Sequence, residues 1–236
     1  MKYTIISVTD NREHYKAEIR EQLREHEEVT GIDFVGYEHD HWAILQEYGL
    51  SIYGYRPTVG ELGIWLSQIR CWKWAVEHQE SLIVFEDDAI VRPGFDEWYS
   101  FVTEPEIEYD VFSLFVPDNQ RGDFELSWVG HAGIVYPGGS PNHVIGHPKL
   151  ARAYQGYGGV CIQVTPEGAQ KMLDGVKELG IYQPIDCWIF ERGFPDFVRK
   201  GPRLEIVTPQ PEYANGVTVD WNAETTIHTT PYFEVT

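Results

Sequence analysis

Three acids stand in a row, Glu86-Asp87-Asp88, directly after the apolar run Leu82-Ile83-Val84-Phe85. Adjacent carboxylates repel one another, and at the end of a buried strand they gain nothing from burial. An all-oxygen group of this kind can hold a hard divalent cation such as Mg²⁺ or Mn²⁺. The competing reading is a solvated acidic turn, since Asp is a common turn residue. Position favours chemistry: in open α/β sheets, ligands gather beyond the carboxyl ends of strands, which is where these acids fall.

The elements that must position them are written on either side. Four consecutive apolar residues suit a strand buried on both faces, and Pro93-Gly94 ends the segment. Upstream, Thr58 and Glu61 have capping-box spacing, which predicts a helix starting at Thr58. Leu62, Trp65, Leu66, Ile69, Trp72 and Val76 then recur at three- and four-residue steps and make one apolar face. Apolar runs at 3–8, 32–37, 82–85, 111–116 and 160–164 alternate with helical patterns. That alternation predicts an α/β fold with a mostly parallel central sheet and helices on both faces.

Other signals fill in the chain. Asp10 and Glu13 repeat the capping-box spacing and predict a charged helix to about His26. Glu38 to Arg56 reads as an irregular stretch in which Tyr48, Tyr53 and Tyr55 can stack on a ligand or seal the core edge. Thr165 caps a helix that has Pro166 at its first position and ends at Gly180. Asp186 heads the apolar segment Cys187 to Phe190, either as a helix cap or as a functional acid. Residues 117–150 carry Pro117, Pro137, Gly138, Gly139, Pro141 and Pro148 with little periodicity, the mark of a functional loop. His143 and His147 are four apart, but the surrounding Pro and Gly argue against a helical zinc pair.

Composition narrows the classes. A chain of 236 residues suits one domain, 1–236, with an ample core. A net charge of −19 disfavours tight binding to nucleic acid or an anionic membrane surface. The three cysteines, Cys71, Cys161 and Cys187, are widely spaced in apolar contexts and read as buried thiols in a reducing compartment. No stretch approaches the ~18 apolar residues of a membrane span, and the N-terminus lacks the apolar run of a signal peptide. The expectation is a soluble cytoplasmic protein without an anchor.

In order, Gly60-Glu61-Leu62-Gly63-Ile64-Trp65-Leu66-Ser67-Gln68, a Trp-rich helix and Leu82-Ile83-Val84-Phe85-Glu86-Asp87-Asp88-Ala89 resemble glycosyltransferase family 25. Two further blocks agree: Gly158 to Ala169 resembles the family's strand, turn and helix, and Gln183-Pro184-Ile185-Asp186 its p-x-D element. The resemblance implies a GT-A-like fold and inverting transfer of a sugar from a nucleotide-sugar donor to a hydroxyl acceptor. It implies Mn²⁺ or Mg²⁺ on Asp88, with His228, after the family-like Glu224-Thr225-Thr226-Ile227, as a late ligand to metal or diphosphate. Glu86 or Asp87 would hold the donor ribose or a metal-bound water. Asn11 would meet the base or ribose and Arg12 the diphosphate, at a junction where Asp10 reads as a plain cap. Asp186 would be the base, with Glu125 or Asp123 next in line, and part of 117–150 would cover the acceptor. Three departures stand out: Gln68 where the family has His, Ile64 where it has Cys, and Ser7-Val8-Thr9 where it often has i-N-L.

Two other classes fit parts of the pattern. A sugar-nucleotide or carbohydrate-binding module without catalysis would use the eight Trp and fourteen Tyr for stacking, but would have no use for three clustered acids. A nucleotidyltransferase shares sheet and acids. It usually has a Gly-rich phosphate loop after the first strand, where this chain reads Thr9-Asp10-Asn11-Arg12-Glu13. The acceptor class, whether saccharide, protein or modified base, is not legible.

Overall fold

The structure is a computed structural model. It describes residues 1–7, 12–103, 107–114, 143–144, 150–152, 161–190, 204, 206–209, 217–219 and 232–233. In chain order the elements begin with β1 (Lys2–Ile6), α1 (Glu13–Gln22), β2 (Glu27–Glu28), α2 (His41–Tyr48), α3 (Val59–His78), β3 (Leu82–Glu86) and β4 (Ala89–Val91). They continue with α4 (Phe95–Thr103), β5 (Val111–Ser113), β6 (His143–Val144), β7 (Leu150–Arg152) and β8 (Cys161–Val164). The last are α5 (Pro166–Leu179), α6 (Ile185–Phe190), β9 (Ile206–Pro209) and β10 (Val217–Val219).

Among the described residues, eight strands form one sheet in the order β2-β1-β3-β8-β5-β9-β7-β6, and β10 pairs antiparallel with β4. The sheet is mixed, which corrects the expectation of a mostly parallel one. β1 runs parallel to β2 and β3, and β5 to β9. β8, however, lies antiparallel between β3 and β5, and β7 is antiparallel to β9 and β6. An apolar run reports burial and says nothing of strand direction, which is set by how the chain returns to the sheet.

Helices cover both faces, and the strands divide their side chains between them at period two. Ile6, Leu82, Val84, Val111, Ile162 and Val164 point to the core shared with α2, α3, α5 and α6. Tyr3, Ile5, Ile83, Phe85, Phe112 and Cys161 point to the core shared with α1 and α4. Helix α3 is fixed at its start by the full capping box. The Glu61 amide donates to Thr58 Oγ1 at 3.2 Å and the Thr58 amide to Glu61 Oε2 at 2.6 Å.

Two local expectations fail for backbone reasons. Residues 32–37 are not a strand; the second strand is Glu27–Glu28. The ladder along β1 runs on to Val29, whose amide donates to the Tyr3 carbonyl at 2.7 Å, and Gly31 at φ 90° then turns the chain away. Val35 gives its amide to Ser67 Oγ at 2.9 Å instead of to a strand. Within Glu38 to Arg56 lies helix α2, capped by Asp40, whose carboxylate accepts from the Ala43 amide at 3.0 Å, and closed by Gly49 at φ 64°. Helix α1 ends at Gln22, short of His26. Its expected cap, Asp10, lies outside the described residues.

Gly168 marks a tight approach between α5 and the strand next to it. A Cβ there would sit 2.2 Å from the Asp110 carbonyl oxygen, which is backbone and cannot swing aside. Gly168→Ala is therefore expected to cost about 1–3 kcal/mol or more through overpacking. A urea midpoint unchanged from that of the parent chain would contradict this contact.

Candidate active site

The register of the parallel pair β1 and β3 sets Ile6 opposite Glu86. Ser7 and Asp87, one step on, thus share the carboxyl edge of the sheet, where a doubly wound fold presents ligand groups. Ser7 donates from Oγ to Asp87 Oδ2 at 2.6 Å, and Arg12 reaches Asp87 Oδ1 at 2.5 Å. Asp87 is only 5% exposed, so this is a buried, charge-assisted pair. Of the residues expected to meet the donor, Arg12 and Asp87 are thus bonded to each other, and Ser7, which sequence reasoning passed over, completes the group. Seventy-five positions separate Arg12 from Asp87, so no local pattern could have disclosed the pair.

Glu86 closes β3 and Asp88 lies in the turn before β4; both are partly buried. Burial, then the charges of Asp88, Asp186 and Asp87, push the Glu86 carboxyl well above the usual Glu range, with Arg12 opposing them. Asp186, almost a hundred positions further along, is therefore brought within electrostatic reach of the acidic triplet. It sits in the first turn of α6, after Ile185, and its Oδ1 accepts from the Cys187 amide at 2.7 Å.

Helix α3 holds α6 in place. Trp65 donates from Nε1 to the Gln183 carbonyl at 3.0 Å. Its ring meets Trp188 edge-on at 5.5 Å, while Trp72 stacks on Trp188 at 6.3 Å. Gln68 stands between Trp65 and Trp72 on α3 and is 1% exposed. The residue that replaces the family-like His is thus a core side chain. Cys71 and Cys161 are buried free thiols, and Cys187 is half-buried.

A cavity of about 330 Å³ opens beside Ser7. Lys16 and Arg20 of α1 and the segment Thr30 to Phe34 line it. Its size is at the lower end of the roughly 300–1,000 Å³ of ligand sites. The turn at Gly31 builds this cavity, and its lining was hidden from sequence because 32–37 read as a strand. Asn11, His228, Asp123, Glu125 and 117–142 lie outside the described residues. Of Tyr48, Tyr53 and Tyr55, Tyr48 packs under Lys73 and Tyr53 is exposed, and Tyr55 lies beside Asp186's segment.

Glu86 carries a testable cost. A carboxyl whose folded pKa is raised binds more protons folded than unfolded. As pH rises past the ordinary Glu value of 4.5, the unfolded chain ionises first and stability falls until the folded group titrates. Glu86→Gln removes that penalty. Its Tm is expected to exceed that of the parent chain by a few degrees at neutral pH, with the gain shrinking toward about pH 4. A lower Tm at neutral pH would contradict the electrostatic picture.

The mixed sheet thus carries acids at the carboxyl edge of β1 and β3, and Ser7 of that edge also lines the cavity. The sequence model of glycosyltransferase family 25 (LPS biosynthesis protein) matches residues 1–129, more than half of the chain. The chain belongs to glycosyltransferase family 25 and is a glycosyltransferase. No curated protein matches it. Among the described residues no helix is long and apolar enough to cross a membrane.

Proposed function

We propose that this glycosyltransferase is metal-dependent and inverting, moving a sugar from a nucleotide-sugar donor to a hydroxyl acceptor on a GT-A-type fold. The observation that supports the reading is the electrostatic coupling of Glu86 to Asp88 and Asp186 at the edge of the parallel strands β1 and β3, whose Ser7 also lines the cavity. That cavity takes the nucleoside. The Arg12–Asp87 pair stiffens the floor between nucleoside and acids, and Arg12 keeps a positive charge near the diphosphate.

The metal fits in one specific way. Among the described residues no three His, Cys, Asp or Glu side chains are grouped to hold an ion by themselves. Mg²⁺-type sites, however, commonly take one or two carboxylates and complete their shell with substrate phosphates and water. Asp88 supplies an oxygen ligand of the right kind, and Glu86 or Asp87 would hold the donor ribose or a metal-bound water. Asp88 is assigned as ligand, with His228 as a second. Bound there, Mn²⁺ or Mg²⁺ would offset the charge that develops on the departing diphosphate.

The protein's own step is proton removal. The acceptor hydroxyl attacks the anomeric carbon from the face opposite the diphosphate. Its proton passes to Asp186, and the C–O bond to the diphosphate breaks with its electron pair on the leaving oxygen. Calorimetry with nucleoside diphosphates, with and without Mn²⁺, tests the donor side. One nucleotide should bind saturably and more tightly with Mn²⁺. Binding by none in either condition would defeat the reading.

A further inference from the structure

Tyr53 and Tyr232 are each 59% exposed, the most open aromatic side chains among the described residues. Backbone bonds hold both. The Tyr53 amide donates to the Ile181 carbonyl at 2.9 Å and the Ile181 amide to the Ser51 carbonyl at 2.8 Å, around a parallel bridge between Ile52 and Ile181. Tyr232 bridges antiparallel to Thr58, and the Phe233 amide donates to the Pro57 carbonyl at 2.8 Å. Phe233 is itself buried against Trp42, with ring centroids 5.0 Å apart. Side chains then limit where the two exposed rings can go. The Tyr53 ring lies on Gly180, where a Cβ would sit 2.6 Å from its Cδ2. Arg56 covers the Tyr232 ring, its Cζ 5.0 Å from the centroid. Arg56 follows Tyr53 by three residues, which the chain spans in at most about 11 Å. Tyr53 and the Arg56–Tyr232 stack therefore share one patch of surface. A single exposed aromatic needs no explanation, but two ordered side by side and left open to water gain little for the fold. The patch borders the candidate site. The stretch under Tyr53 leads through Gln183 into the first turn of α6, where Asp186 stands, and Trp65 ties the Gln183 carbonyl to α3 at 3.0 Å.

We propose that Tyr53, Arg56 and Tyr232 form a platform for the acceptor, and that the acceptor is a saccharide. The inference rests on the proposed transfer from a nucleotide sugar to a hydroxyl. A sugar ring has apolar C–H faces and a rim of hydroxyls. Tyrosine matches both, with an apolar ring face and a polar tip, and it orders few torsions on binding. The Arg56 guanidinium, laid on Tyr232, adds a planar fork of N–H donors for hydroxyl oxygens. A nucleic-acid acceptor fits less well, because a chain of net charge −19 repels its phosphates.

The test supplies the chain with a panel of nucleotide sugars, Mn²⁺ and three acceptor pools: mono- and disaccharides, Ser- and Thr-rich peptides, and DNA oligonucleotides. Products are weighed by mass spectrometry. A saccharide is expected to gain the mass of the donor sugar. Tyr53→Ala and Tyr232→Ala should each raise the KM for that saccharide about 3–10-fold, the worth of one aromatic contact. Donor KM and the acceptor-free release of nucleoside diphosphate should stay at the parent level. Tyr53→Phe and Tyr232→Phe keep the ring face and should bind nearly as the parent does. Both rings are exposed, so Tm should hold in all four variants. Transfer to peptide or DNA alone, donor hydrolysis with no saccharide modified, or an unchanged saccharide KM in both alanine variants would overturn the platform and leave the transfer reading standing. Release of nucleoside diphosphate from no nucleotide sugar at all would defeat the transfer reading itself, and the platform with it.

Discussion

Asp88→Asn is expected to lose metal-dependent turnover of the donor by about 10³-fold or more. Charge stabilisation by a Lewis acid supplies several kcal/mol, and each ~1.4 kcal/mol is tenfold in rate. The substitution keeps size and shape and removes one of the negative charges that, after burial, raise the Glu86 carboxyl. Stability should therefore hold or rise slightly while Mn²⁺ affinity falls. Asp88 sits in the turn between β3 and β4 and is partly buried, and Asn fills the same volume. Unchanged Mn²⁺ affinity in calorimetry would remove Asp88 from the ligand set.

Asp186→Asn is expected to cut transfer by roughly 10²–10⁴-fold, the usual worth of a general base. Donor and metal affinity should stay put, because the base faces the acceptor. The rival role as a helix cap is weakened by where α6 begins. Ile185 is already helical, so Asp186 lies in the first turn. Asn retains the oxygen that accepts the Cys187 amide, so the fold should be indifferent to the change. A fully active variant would move the search to Glu125 and Asp123.

Much of this was legible because the signals were local. The Thr58–Glu61 box, the Thr165–Pro166 start and the Leu82 to Phe85 strand each depend on residues a few positions apart, and each is present. Strand direction was not legible: β8 is apolar whichever way it runs, and only its pairing shows it antiparallel to β3. Helix α2 was missed because tyrosines and acids masked a short Asp40-to-Gly49 frame. In the site, the acidic triplet announced itself by mutual repulsion. The Arg12–Asp87 pair and the Ser7 bond join distant parts of the chain through sheet register. No window along the sequence contains them.

The central claim, metal-dependent transfer from a nucleotide sugar, meets its most direct test in one assay. The chain is incubated with a panel of nucleotide sugars, with Mn²⁺ and with chelator, and the released nucleotide is identified. The account predicts free nucleoside diphosphate from one donor with Mn²⁺, from slow hydrolysis even without acceptor, and its loss in chelator. Pyrophosphate release would mean nucleotidyl transfer, binding without turnover a module, and full activity in chelator a metal-independent enzyme; each would contradict it.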